Sequence, residues 1–265
     1  MQKPLTLPSP RRAEGCYIIS SPQRGEDLGE GEPLRGIFMA QPWKTIDKVD
    51  TPDGVLELRK RGDRDFMILI NNRVLMNSSA NRSEIALGEL ACGKLATHPR
   101  PRVLIGGLGM GLTLKAALDS LPAAAQVEVA ELNPVMVTWC RGPLAGITKS
   151  AVDDPRVTIV IDDVAATIAR AAQPGAKKFD AIIIDLYEGP GASSDALHDP
   201  FYGSRALKTT AAALSPGGVF AVWGESSDAA FEIRLAAAGF TVERQRPGRG
   251  GLRHVVYVAQ VKASR

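Results

Sequence analysis

The stretch Arg102-Val-Leu-Ile-Gly-Gly-Leu-Gly-Met-Gly-Leu-Thr113 decides how the rest of the chain is read. Val103, Leu104 and Ile105 are apolar on successive residues, which suits a strand buried on both faces rather than one with a solvent side. Gly106 to Gly111 then make a glycine-rich turn, and Thr113 opens an Ala/Leu-rich segment that reads as a helix. A turn of this kind between strand and helix lets a ligand approach the backbone closely and meet amides at the helix N-terminus. By itself the motif is weak, because the same glycines also permit tight packing of helix on strand.

Downstream, strand and helix patterns alternate, the signature of a mostly parallel sheet. Strands are expected at Val103 to Ile105, Gln126 to Ala130, Val157 to Ile161, Ala181 to Ile184, Val219 to Trp223, Thr241 to Arg244 and Val255 to Val261, with helices between them. The last two, TVERQ and HVVYVAQV, are joined by the turn-rich PGRGG and read as a hairpin closing the sheet. The expected fold is therefore α/β, a doubly wound and mostly parallel sheet of seven strands.

Upstream, the short apolar runs TIDKV, VLELRK, FMILI and VLM are separated by Thr51-Pro-Asp-Gly, Arg61-Gly-Asp and Asn71-Asn72. That spacing predicts a small antiparallel β-meander. A helix follows, with Asn81 in the N-cap position and Glu84 three residues on, a capping-box spacing, and it ends before His98-Pro-Arg-Pro. Residues 1–38 show neither period and are rich in Pro, Gly, Arg and Glu, so they read as a disordered or spurious extension. The organisation expected is 1–38 extension, 39–80 meander and 81–265 main domain.

Bulk properties narrow the classes. Of 265 residues, 45% are apolar and 23% charged, as in ordinary globular domains. A net charge of +3 with mixed signs gives no footprint for nucleic acid. Cys16, Cys92 and Cys140 show no metal-ligand spacing, so no metal is expected and a reducing cytoplasm fits. No apolar run reaches membrane-spanning length, and none near the start has signal-peptide character, so a cytoplasmic protein without membrane attachment is expected. His98, His198 and His254 are isolated in sequence, and each reads as an ordinary polar histidine.

The acids at the predicted strand ends shift the reading toward a ligand. Glu131 closes the second strand roughly 20 residues after the loop, where a carboxylate accepts hydrogen bonds from ribose hydroxyls. Asp162 and Asp163 close the third strand and Asp185 the fourth, so all four lie at the carboxyl edge where open α/β sheets bind ligands. A nicotinamide dinucleotide needs the same loop and the same Glu131, yet it leaves the later acids unexplained. An adenosine without pyrophosphate needs an acid near its base, and Asp163 is placed for that.

The segments VLIGGLGMGLTL, AELNPVMV, DPRVTIVIDDVAATI, FDAIIIDLYEGPGA, the Phe201-Tyr202 pair and LSPGGVFAVW resemble, in order, the spermidine synthase family, over about Leu56 to Trp223. The resemblance implies a methyltransferase-like (Rossmann-like) sheet behind a small β-meander. It further implies S-adenosylmethionine or its decarboxylated form as donor, a small-molecule amine as acceptor, and transfer of an aminopropyl group. By that likeness Gly107, Gly109 and Gly111 line the nucleoside pocket together with Met110 and Asp162, Glu131 takes the ribose, and Asp163 with Val164 faces the adenine. Asp185 matches the catalytic aspartate that accepts a proton from the attacking amine, and Glu188 the second acid. Dimers are common in the family, so the likeness admits a homodimer.

The departures fall on substrate recognition. Met110 stands where the family's loop carries an aspartate for the ammonium of the aminopropyl donor, and Glu188 is a methylene longer than the acid it replaces. The tyrosine-histidine-glutamate run of the preceding helix reads Leu87-Gly88-Glu89, and a glutamine before it reads Met76. Putrescine itself is therefore not the expected acceptor. The alternatives are methyl transfer to an unknown acceptor and a non-catalytic nucleoside-binding homologue. Trp223, ending the fifth strand, is positioned to wall the pocket, and Tyr187 to cover its rim.

Overall fold

The computed structural model describes residues 41–187, 189–191, 197–247 and 254–262. The reading of 1–38 and the placement of Glu188 lie outside these residues. Four antiparallel strands come first and pair in sequence order: β1 (Lys44–Thr51), β2 (Gly54–Arg61), β3 (Asp65–Ile70) and β4 (Arg73–Asn77). Asn71 and Asn72 both take positive φ, 48° and 64°, the conformation a two-residue hairpin demands of its turn.

Helix α1 (Arg82–Gly93) buries Ser83, Glu84, Leu87, Gly88, Ala91 and Cys92 along one stripe. The capping box does not form. Asn81 makes no side-chain cap bond and its Nδ2 donates instead to the Ser78 carbonyl at 3.0 Å, while Glu84 is turned inward.

The main sheet consists of β5 (Arg102–Gly106), β6 (Gln126–Glu131), β7 (Val157–Ile161), β8 (Phe179–Ile184), β9 (Leu214–Gly224), β10 (Phe240–Gln245) and β11 (Val255–Val261). Their order is β10-β11-β9-β8-β5-β6-β7. The five strands from β9 to β7 pair in parallel, and β11 runs antiparallel to both β9 and β10. The final pair is a hairpin in pairing only: β11 lies inside the sheet and β10 at its edge.

Successive apolar residues along these strands serve two separate cores, because neighbouring side chains point to opposite faces. Val103 and Ile105, Ala181 and Ile183, Val219 and Ala221 join one cluster with α1 and the four-stranded sheet. α2 (Leu112–Ser120) and α3 (Pro134–Arg141) pack into that same cluster, with the short α4 (Ala145–Thr148) following α3. Leu104, Ile182, Ile184, Phe220 and Val222 join the other, covered by α5 (Val164–Ala172), α6 (Ser204–Ala213) and α7 (Ala229–Ala237). Helices on both faces make the sheet doubly wound, in the methyltransferase-like manner. No helix of the described residues is long and apolar enough to cross a membrane.

Candidate active site

Strand order reverses at β5, which has β8 on one side and β6 on the other. Connections leave such a strand in opposite directions, so a crevice opens at its carboxyl end. Here the four-stranded sheet roofs the crevice with Ile68 of β3 and Leu75 and Met76 of β4, leaving a cavity of about 210 Å³. Among the described residues, Glu84, Glu131 and Asp185 are the charged ones of its lining, within apolar walls that include Met136, Leu186 and Trp223.

Asp185 sits just past β8. Its backbone N–H donates to the Gly106 carbonyl at 2.9 Å, continuing the ladder with β5, and Thr113 Oγ1 at the head of α2 donates to its Oδ2 at 2.5 Å. Burial pushes its carboxyl up to about 7; the Thr113 hydroxyl opposes the shift, and the nearby Glu84 charge adds to it.

The loop takes positive φ at every second residue, 90° at Gly107, 51° at Gly109 and 78° at Gly111. A Cβ on Gly107 would stand 2.5 Å from the Asp185 carbonyl, and one on Gly109 2.8 Å from Met76 Sδ, so both are held to glycine. Glu131 staples the loop: Oε2 accepts from Leu108 N and Oε1 from Asn133 N, both at 2.8 Å. Each oxygen keeps a further lone pair for a hydroxyl.

The structure brings Gly107, Gly109, Glu131 and Asp185 to one cavity. Gly111 is the N-cap of α2, behind the lining. The Met110 side chain is fully buried in the core, and the loop residues facing the cavity are Gly107 and Gly109. The alternating φ values explain this, since they turn both Leu108 and Met110 inward as anchors.

Asp162, Asp163 and Val164 lie outside the lining. Asp162 pairs with Arg170, which holds its carboxyl below the usual range. Asp163 caps α5 by accepting from Ala165 N at 2.8 Å, and Val164 packs over Gly106. Gly88 also has a structural reason: a Cβ there would meet the Thr113 carbonyl at 2.7 Å, where α1 and α2 cross. Tyr187 is at the rim with the Arg73 guanidinium 4.6 Å over its ring.

Glu84 is the functional candidate that sequence reasoning placed elsewhere, as a helix cap. The signal was present, because Glu84, Leu87 and Ala91 follow the i, i+3, i+7 rhythm of the buried stripe. A carboxylate heading such a stripe points inward.

Residues 90–233, more than half of the chain, match the spermine/spermidine synthase domain. Putrescine N-methyltransferase 4 of Nicotiana tabacum is 36% identical over 133 residues, 50% of this chain and 32% of that protein. A polyamine aminopropyltransferase of Mycobacterium tuberculosis is 34% identical over 120 residues, 45% of this chain and 22% of that protein. The alignments thus span about a third or less of the curated relatives. The crystal structure of spermidine synthase from Thermotoga maritima superposes with a TM-score of 0.61 at 21% identity, covering 83% of this chain and 73% of that one, which shows the shared fold. Glycine loop, Glu131 and Asp185 all fall within the matched span, and the chain belongs to the spermine/spermidine synthase domain family.

Proposed function

We propose that the protein is a transferase that moves an aminopropyl group from decarboxylated S-adenosylmethionine to an amine other than putrescine. The observation that carries this reading is Asp185, a carboxyl raised to about 7 in a cavity at the switch point of the sheet. The donor supplies a carbon made electrophilic by an adjacent sulfonium. The amine nitrogen bonds to that carbon as its bond to sulfur breaks, the electron pair leaving on a neutral thioether. Asp185 orients the amine and takes up its proton, a task for which a raised carboxylate pKa is better matched to neutral pH than an ordinary one. The glycine turn fits the nucleoside: its positive φ values bare the backbone, and Glu131 offers acceptors to ribose hydroxyls.

The lining favours the decarboxylated donor. Among the described residues its charged groups are acidic, so a donor ending in an ammonium finds complementary charge there, whereas a donor carboxylate meets like charge. Methyl transfer from S-adenosylmethionine is the second reading, favoured by Gly109 and Met76. The loop positions facing the cavity, Gly107 and Gly109, carry no side chain, the Met76 thioether lies against Gly109, and the position of the family's loop aspartate is held by the buried Met110.

Calorimetry with 5′-methylthioadenosine tests the common part: saturable binding is expected, and none at millimolar concentration sinks both readings. Mass spectrometry of products formed with each donor against an amine panel separates them. Methylated product without aminopropylated product reverses their order.

A further inference from the structure

Ser83, Glu84 and His254 lie outside the residues matched to the family, yet they form one hydrogen-bonded chain beside the cavity. Ser83 Oγ is 2.7 Å from Glu84 Oε2 and 3.0 Å from His254 Nδ1, and Ser83 and Glu84 are both buried. The direction of the chain follows from donor capacity. A carboxylate only accepts, so the single hydroxyl proton of Ser83 goes to Glu84, and Ser83 in turn accepts from His254, which carries a hydrogen on Nδ1. His254 reaches α1 because β11 lies inside the sheet beside β9, with Val256 opposite Trp223. Its ring meets the Trp223 ring edge-on, with 4.8 Å between centroids; Trp223 lines the cavity and His254 does not.

Glu84 is braced at its backbone as well. Thr113 Oγ1 lies 3.2 Å from the Glu84 carbonyl and 2.5 Å from Asp185 Oδ2, so one hydroxyl joins the main chain of the first acid to the carboxyl of the second. Both acids line the cavity, and the charge of Glu84 bears on Asp185. Two like charges in one partly dry pocket resist ionising together, so the surroundings of each decide which one takes a proton. Donors aimed at a carboxylate favour its charged form. Glu84 has a hydroxyl backed by an imidazole, whereas the hydroxyl that serves Asp185 is shared with a carbonyl.

We propose that His254, acting through Ser83, is a positioning residue of the proton transfer: it fixes the Glu84 carboxylate, charged and in one orientation, near Asp185, so that Asp185 is the member of the pair that takes up the proton of the attacking nitrogen. This rests on the transferase reading above. As the nitrogen bonds to carbon, its N–H bond breaks toward Asp185; Glu84 gains no proton, and its charge keeps Asp185 basic. The other titratable groups around Asp185 are Glu131, Tyr187 and Tyr202. Glu131 and Tyr187 line the same cavity, Glu131 being held by the amides of Leu108 and Asn133. Tyr202, ahead of α6, is a hydroxyl pushed up by burial and then by the charges of Asp199 and Asp185.

The test is carbon-13 NMR of the protein labelled at its aspartate carboxyls, titrated without ligand. Asp185 is assigned by the signal missing from Asp185→Asn, and its midpoint in wild type is expected at about 7. Glu84→Gln is expected to lower that midpoint by about half a unit or more, because a like charge is removed. His254→Phe and Ser83→Ala are expected to lower it part of the way, and His254→Asn to restore it, since the amide N–H replaces Nδ1–H. In the Glu84→Gln background, His254→Phe is expected to add no shift.

The inference is overturned if Glu84→Gln leaves the Asp185 midpoint in place, if either His254→Phe or Ser83→Ala folds and leaves it in place, or if His254→Asn behaves as His254→Phe does. It is likewise overturned if His254→Phe moves the midpoint equally with and without Glu84, the mark of an imidazole acting on Asp185 directly. Packing against Trp223 alone predicts lost thermal stability with an unmoved midpoint. Calorimetry of wild type with 5′-methylthioadenosine is a separate measurement: absence of binding strikes the transferase reading, whereas the coupling of the two acids is read with no ligand present.

Discussion

The two edges of the main sheet carry charge in opposite ways. At the amino edge, around the starts of β5 and β6, an open groove of about 640 Å³ is lined by Arg100, Arg102, Glu128 and Arg156. Arg102 meets Glu128 at 3.1 Å and the Lys177 carbonyl at 2.7 Å and lies over the Phe179 ring; Arg156 meets both Asp154 oxygens and the carbonyls of Leu118 and Leu121. At the carboxyl edge the cavity is a third of that size, about 210 Å³, and Glu84, Glu131 and Asp185 line it with no cation among the described lining residues. Volume therefore does not mark the site. Ion pairs hold the amino edge together, while the acids at the carboxyl edge are held by hydrogen bonds from Leu108, Asn133, Ser83 and Thr113.

The contrast is broken or sharpened most strongly at Asp185. Asp185→Asn is expected to lower turnover by about 10²–10⁴-fold, the usual worth of a general base. It is also expected to stabilise the fold above neutral pH. Because the folded pKa of about 7 lies above the unfolded value, the folded state binds the proton more tightly, and the native acid's contribution is complete at low pH and lost as pH rises through about 7. Because the loss begins once pH passes the unfolded value of about 4, melting curves should show a smaller gain for the variant at pH 5 and a gain larger by about 1–3 kcal/mol at pH 8. Equal stability at both would mean that the acid bears no charge penalty.

Gly107→Ala comes next. With φ at 90° and the Asp185 carbonyl 2.5 Å from the added methyl, the loop must move. A stability loss of roughly 2–4 kcal/mol and loss of nucleoside binding are expected by thermal melting and calorimetry. At the opposite edge, Arg156→Met should lose about 1–3 kcal/mol by stranding carbonyls and Asp154, with nucleoside affinity unchanged. An affinity that falls with it would erase the distinction between the edges.

The smallest effect is expected at Asp163, where cap and ligand roles separate. Serine also caps helices, so Asp163→Ser should leave the melting temperature nearly unchanged. If Asp163 also faces an adenine, nucleoside affinity falls several-fold in the same variant. Unchanged affinity leaves it as a helix cap alone.

The fold was legible because double burial writes itself as unbroken apolar runs such as Val103-Leu104-Ile105 and Ala181 to Ile184, and those strands lie within two residues of where the pattern puts them. β9 is the exception. It begins at Leu214, and Pro216-Gly217-Gly218 within it reads as a turn; Gly217 has φ of 75°, and the pairing with β8 shifts register there. Glu131 and Asp185 were legible as strand-ending acids. Glu84 was not, because an acid in a first helical turn serves equally as a cap or as the head of a buried stripe, and only the packing of α1 against α2 and β9 decides between them. The burial of Met110 was not legible for a similar reason: which residues of a glycine loop face outward depends on the signs of φ, and those are not written in the letters. His254 depends on a contact 171 residues away, beyond the reach of any local pattern.

The interior position of β11 bears on how the chain is assembled during synthesis. β9 and β10 leave the ribosome before the strand that must lie between them, so the parallel half of the sheet waits with the β9 edge unpaired. Open edges of this kind recruit other strands. Nascent chains stalled before Val255 should therefore associate with chaperones or with each other, and release of the last strand should end that exposure and deliver His254 to Ser83 in the same event.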